Sequence, residues 1–293
     1  MSDQDYLSRN RNHITSSKLE AFRFCQYLYF LQYVQEAVPD KTSDAMQFGT
    51  AFDDFWSYGE EEWNKKYIVV DTKIKPNKLA KIIEAQKEKI AKARLPRTAK
   101  KYEADLAELE KRVGKTQLAA AMGEKLQRCN FEANRQPLWK FDPKDAQVEV
   151  VIDWKGTKLK CKIDQFRLEE KIICDVKTSG AIHILLTKFR EKYIRQLAFY
   201  QLLVELKHDV KCDGQLQVAT TEDPSHFVKF SLSKEGLLNE RDDILRTLDE
   251  LIAAERRGIF LAQPQDCRVE KCFDCPAYGV CPHSIQRQIV PLC

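Results

Sequence analysis

From residue 146 onward the apolar positions follow a short period. AQVEVVIDW alternates or runs apolar, Lys155-Gly156 supplies a turn, and TKLKCKIDQFRL follows as a second strand. Glu169-Glu170 makes another turn before a third strand, KIICDVKTS. The period then lengthens to that of a helix in LLTKFREKYIRQLAFYQLLVEL. DGQLQVATT and SHFVKFSLS read as two further strands, and SKEGLLNERDDILRTLDELIAAERRG as a closing helix. With a helix around residues 47–67 in front, the order predicts an α/β core of strands in hairpins with helices against the sheet. Nearer the N-terminus, TSSKLEAFRFCQYLYFLQYV (15–34) is apolar on more than one face and reads as a largely buried helix. Ser17 and Glu20 have the spacing of a capping box, and Cys25 falls mid-helix.

Charge changes the picture in one place. Residues 73–115 hold 14 Lys/Arg and 6 Asp/Glu, a balance of +8 against +4 for the whole chain. The segment reads as two helices broken at Leu95-Pro96. A solvated helical hairpin is the first reading; a basic arm that tracks phosphates is the second. The 293 residues, 43% hydrophobic and 31% charged, exclude wholesale disorder and suffice for a sizeable core. No run of about 18 apolar residues predicts a membrane span, and MSDQDYLSRNRNH lacks the apolar stretch of a secretory signal. A cytoplasmic location is expected, or a host cytoplasm if the chain is viral.

Ten cysteines are many for a reducing compartment, where clustered thiols point to metal or catalysis before disulfides. Cys272 and Cys275 form C-x2-C, and Cys281 follows after five residues. Pro276, Gly279 and Pro282 suit a tight loop that aims thiolates at one centre, zinc or iron–sulfur. A fourth ligand is needed: Cys267 and His283 are near, Cys25 is remote. Cys129, Cys161, Cys174, Cys212 and Cys293 stand apart, and Cys161 and Cys174 read as packing residues in strands.

Asp164 lies on the second strand, and Asp175 and Lys177 lie on one face of the third. Adjacent hairpin strands can bring the two aspartates together, and a hard divalent cation would relieve their repulsion. An ammonium beside them can orient water or stabilise charge on phosphorus, so the set suits metal-assisted phosphodiester hydrolysis. Gln196 and Tyr200, four apart on the next helix, form either an ordinary core-facing pair or a polar pair over the site.

In this order, the residues resemble the PD-(D/E)XK nuclease superfamily, in its RecB-like branch with an iron–sulfur cluster, closest to the CRISPR-associated and viral exonucleases. Ile163-Asp164 and Asp175-Val176-Lys177 resemble its "iD…(D/E)xK", and Gln196 and Tyr200 its Q-x3-Y. Cys25 with Cys272, Cys275 and Cys281 resembles its split cysteine layout. Glu149 is similar to an acidic residue often found on the first strand. Two departures stand out: Asp53 occupies the histidine place of "G-x3-H" after Gly49, and Cys161-Lys162 replaces the glycine before "iD".

The resemblance implies a restriction-endonuclease-like core, a mixed sheet flanked by helices, with a helical N-terminal insertion and termini stapled by a [4Fe–4S] cluster. Residues 1–46 would carry the first cluster cysteine, 47–145 the helical region with the basic insertion, 146–262 the nuclease core, and 263–293 the cysteine cluster. It implies Mg²⁺ or Mn²⁺ at Asp53, Asp164, Asp175 and Val176, with Lys177 acting on water or phosphate and Gln196 and Tyr200 substrate-side or structural. The substrate would be DNA, single-stranded and often degraded from a 5′ end. Two alternatives are a silenced nuclease-fold protein that binds DNA beside recombination or CRISPR-adaptation proteins, and a zinc-stapled nucleic-acid-binding protein. No membrane partner is expected.

Overall fold

The computed structural model of the chain describes residues 13–38, 43–93, 95–134, 143–262, 275–277 and 280–282. The strand-rich region forms as the pattern predicts: β4 (Ala146–Trp154), β5 (Thr157–Arg167), β6 (Ile172–Ser179), β7 (Asp213–Thr220) and β8 (Phe227–Leu232). Lys155 (φ 53°) and Gly156 (φ 78°) join β4 to β5 in a two-residue turn of left-handed conformations, which matches strand twist. β5 pairs antiparallel with β4 and, through residues 165–167, with β6. Through residues 158–159 it also pairs parallel with β1 (His13–Ile14). β6 and β7 are parallel, not a hairpin, because α6 (Arg190–His208) crosses between them. β8 closes the edge antiparallel to β7, giving a six-stranded mixed sheet among the described residues.

Helices cover both faces. The main core joins the sheet to α1 (Ser16–Phe24), α6 and α7 (Arg241–Arg257) through Leu19, Phe22, Ile163, Leu197, Leu203, Leu248 and their neighbours. A second core joins Cys174, Val176 and Ala219 of the sheet to α2 (Asp44–Lys66) and α5 (Ala120–Asn134). α2 is capped by Ser43, whose Oγ accepts the Met46 N–H at 3.2 Å, and buries Phe48, Phe52 and Trp56 in a stacked row. Cys161 and Cys174 are buried packing residues, as their strand positions predict, and Cys129 and Cys212 are buried too.

Three features depart from the pattern. The N-terminal segment is not one helix: Cys25 is extended (φ −166°, ψ 121°) between α1 and a short helix at Gln26–Tyr29. The cause lies at the other end of the chain, where the Tyr27 N–H donates to the Leu261 carbonyl and the Leu261 N–H to Gln26 Oε1. The cap of α1 is Thr15, accepting from the Lys18 N–H, and Glu20 instead holds Arg195 of α6 in a two-pronged ion pair at 2.8 and 2.9 Å. Lastly, β2 (Tyr67–Val70) and β3 (Thr116–Ala119) form a small parallel sheet. The basic hairpin, α3 (Pro76–Lys92) and α4 (Pro96–Glu110), is inserted between these two strands. α4 buries no residue, so the hairpin is largely solvated. No described helix is long and apolar enough to cross a membrane.

Phe52 is 1% exposed at the centre of the second core. Phe52→Ala should cost about 3–5 kcal/mol, measured by denaturant unfolding, whereas Lys101→Ala on α4 should stay within about 0.5 kcal/mol.

Candidate functional site

The ladder between β5 and β6 stops at Gln165↔Cys174. One step further in that register Asp164 would face Asp175, but the strands part. The Asp164 carboxylate takes over the role of the missing ladder bond, accepting the Val176 N–H at 2.7 Å. Asp164 thus sits in the opening between the strands, near enough to Asp175 for its charge to raise that carboxyl. Lys177, two residues on, places its Nζ 2.5 Å from Asp175 Oδ2 and donates to the Val176 carbonyl at 3.2 Å. From α6, Gln196 Nε2 donates to Asp175 Oδ1 at 3.0 Å and also to the Tyr200 hydroxyl. Tyr200, 6% exposed, lies behind Gln196 in the main core. From the other side α2 brings Asp53, bonded with Ser57 and Gln147.

Of these groups, Asp53, Asp164 and Lys177 border an open cleft of about 600 Å³, and Asp175 is buried behind them. Met46, Gly49, Thr50 and Asp53 of α2 form one wall; Lys177, Thr178 and Ser179 of β6 form another, with Tyr193 of α6 beside them. The electrostatics are those of crowded acids. Burial raises the Asp53 carboxyl above the usual range, and the nearby charge of Asp164 adds to it, against the opposing pull of Lys177 and Lys162. Burial likewise raises Asp175, which is 1% exposed; Lys177 opposes this and Asp164 reinforces it. Burial alone would lower Lys177, but Asp175 and Asp164 outweigh it and hold the ammonium charged. Asp175 Oδ2 is buried without an aligned hydrogen-bond donor, so its compensation is the ion pair with Lys177.

This donor set fits a hard divalent cation in its chemistry: three carboxylates and the Val176 carbonyl, all oxygen. Among the described residues, however, no three acidic, His or Cys side chains already close on one point as metal ligands do. Glu149 stands outside the group, paired with Lys160 Nζ at 2.9 Å.

Two residues bordering the site were not singled out in the sequence. Tyr193 carries Lys177 over its ring at 5.6 Å from the centroid, and its signal was the three-residue step to Gln196 on the same helix. Gln147 reaches both Asp53 and Asp164. Counting the β4–β5 register back from the turn, Trp154↔Thr157, sets Gln147 opposite Asp164.

A second gathering involves the cysteines. Cys25, Cys275 and Cys281 pack against a small apolar cluster of Leu28, Leu31 and Ala277. The extended backbone at Cys25 and the tether of Leu261 to Gln26 and Tyr27 bring the two ends of the chain to this place. Cys272, Cys267, His283 and Cys293 lie outside the described residues.

Comparison with known proteins agrees with this architecture. Residues 15–275 match the family described as "PDDEXK-like domain of unknown function (DUF3799)". The crystal structure of a "putative exonuclease" from Eubacterium rectale superposes at a TM-score of 0.52 over 92% of each chain, with 15% identity, a likeness of fold. A second solved structure, SSO0001, aligns at a TM-score of 0.34 over 80% of this chain and 93% of its own, with 15% identity. No curated protein matches.

The raised Asp53 carboxyl has a sign that can be tested. Its ordinary value is 3.8 and the folded value is higher, so the folded state binds more protons between the two. Stability of the cation-free protein should therefore fall as pH rises from about 4 to about 8. Mn²⁺ should raise the melting temperature more at pH 8 than at pH 5, and Asp164→Asn should lose most of that gain. Equal gains at both pH values would contradict the carboxylate site.

Proposed function

The chain belongs to the PDDEXK-like family of domains, and on that footing we propose that it is a metal-dependent deoxyribonuclease. The observation that carries the reading is the placing of Asp53, Asp164 and Lys177 on the wall of an open cleft where β5 and β6 part, with Asp175 buried behind Lys177. The fold supports the family; the chemistry of the side chains supports the reaction. Asp53, Asp164 and Asp175 would hold Mg²⁺ or Mn²⁺, with the Val176 carbonyl beside them. When bound, the cation would polarise the scissile phosphate and make bound water more acidic. Lys177, charged and fixed by Asp175, would donate to water or to a phosphate oxygen in the cleft. Gln196 would keep Asp175 aimed, and Tyr200 would fix Gln196 from behind. Thr178 adds a hydroxyl along the cleft, whereas the hydroxyls of Thr50 and Ser179 already donate to the Met46 and Ala181 carbonyls.

The finer reading is an exonuclease acting on single-stranded DNA ends. It is supported by the motif resemblance and by the description of the Eubacterium rectale structure as a "putative exonuclease". The open cleft suits an extended strand. Cys25, Cys272, Cys275 and Cys281 would bind a [4Fe–4S] cluster that staples the chain ends, a reading supported by the shared packing of Cys25, Cys275 and Cys281. A silenced, DNA-binding role is the second reading, favoured by the Gln147 amide held between Asp53 and Asp164.

End-labelled single strands with Mg²⁺ or Mn²⁺ decide between them. Wild type should shorten the strands. Asp164→Ala should lose at least about a thousandfold in rate, about 4 kcal/mol of transition-state stabilisation. Lys177→Ala should stop cleavage and keep DNA binding. A protein that binds DNA and cleaves nothing with either metal would establish the silenced reading.

The cluster has its own test. Protein purified anaerobically should be brown, and Cys25→Ala should lose both colour and solubility. A colourless protein holding stoichiometric zinc would overturn the iron–sulfur assignment.

A further inference from the structure

Gln147 holds an unusual place in β4. Ala146 pairs with Gln165 and Val148 with Ile163, yet Gln147, opposite Asp164, makes no ladder pair. Its φ is 53°, a left-handed conformation that is uncommon for a residue other than glycine and that marks functional sites when found in a strand. Its side chain enters the carboxylate site. Nε2 lies 3.0 Å from each Asp53 carboxylate oxygen, 3.1 Å from Ser57 Oγ and 3.3 Å from Asp164 Oδ1. An amide nitrogen has two hydrogens and cannot satisfy four acceptors at once. Four oxygens around one point, three of them from carboxylates, make the surroundings of a hard cation.

We propose that Gln147 is a positioning residue whose amide takes the cation's place between Asp53 and Asp164 and must leave when the cation binds. This rests on the metal-dependent reading of the site. The physical logic is direct. Two acidic side chains facing each other repel, and the positive end of the Gln147 amide dipole holds them together while no cation is present. A cation and an NH₂ group cannot share that point. Binding therefore trades the amide for the metal, and the amide's hold on the carboxylates counts against metal affinity. The site is thereby kept assembled, and its affinity for divalent ions is set lower than the bare carboxylates would give.

The test compares wild type, Gln147→Asn and Gln147→Gly. Asparagine tolerates the left-handed backbone and keeps an amide one methylene too short to reach; glycine removes side chain and backbone strain together. Melting temperatures are measured in EDTA and in saturating Mn²⁺, and Mn²⁺ affinity from the electron paramagnetic resonance of the unbound ion. Relative to wild type, the melting temperature of each variant should be shifted downward more in EDTA than in saturating Mn²⁺. Both should bind Mn²⁺ about tenfold tighter, the size expected if one charge-assisted hydrogen bond no longer competes. An equal shift in both conditions would mean that Gln147 is only structural, and weaker Mn²⁺ binding would make it a ligand; either result overturns the proposal. If wild type binds Mn²⁺ and the variants bind it equally well, this inference alone fails. If wild type binds none, the metal-dependent reading fails with it.

Discussion

One main-chain hydrogen bond organises this molecule: the Val176 N–H given to the Asp164 carboxylate and not to a neighbouring strand. A buried N–H must find an acceptor, so when β5 and β6 separate, a side chain has to supply one. Asp164 does so, and in the same act it is fixed where its charge acts on Asp175 and Lys177. The parting of two strands and the gathering of charged groups are thus one event. Everything around it serves to keep the opening in place. The main core fastens α6 behind Asp175, and the second core fastens α2, with Asp53, before Asp164. Neither helix can shift without disturbing a face of the sheet.

The charged groups in the opening are mutually dependent. Asp175 is nearly inaccessible and would be costly as an isolated anion. It tolerates burial because Lys177 is close and Gln196 donates to it. Lys177, in turn, keeps its charge because of the aspartates. A single substitution in this set therefore alters the environment of the others, and effects within it should not add.

Much of this was legible in the sequence. The period of two in 146–179 located β4, β5 and β6. The adjacency of β5 and β6 suggested that Asp164 and Asp175 approach each other, the same-face rule added Lys177, and the family resemblance added Asp53. Other features were hidden for physical reasons. β2 and β3 are four residues each, too short for a period to declare itself, and they pair across more than forty residues of intervening chain. The break at Cys25 is imposed by Leu261, far along the chain, and no local propensity at Phe24-Cys25-Gln26 announces it. Gln147 was passed over because a glutamine in an alternating strand looks like a solvent-facing residue. Only its left-handed backbone turns it to Asp53.

The tether between Tyr27 and Leu261 also bears on how the chain is made. Synthesis runs from the N-terminus, so Glu20 of α1 and the Gln26–Tyr29 helix after it are made long before their partners: Arg195 on α6, Glu255 on α7, and Leu261 beyond. For most of translation the aromatic stretch Phe22 to Tyr33 has nothing to pack on. At 5–20 residues per second, the 175 to 235 residues separating these partners correspond to a wait of roughly ten to fifty seconds. During that interval the nascent chain carries an aromatic segment whose native contacts are not yet made, so this segment, and not the strand-rich middle, waits longest for its core.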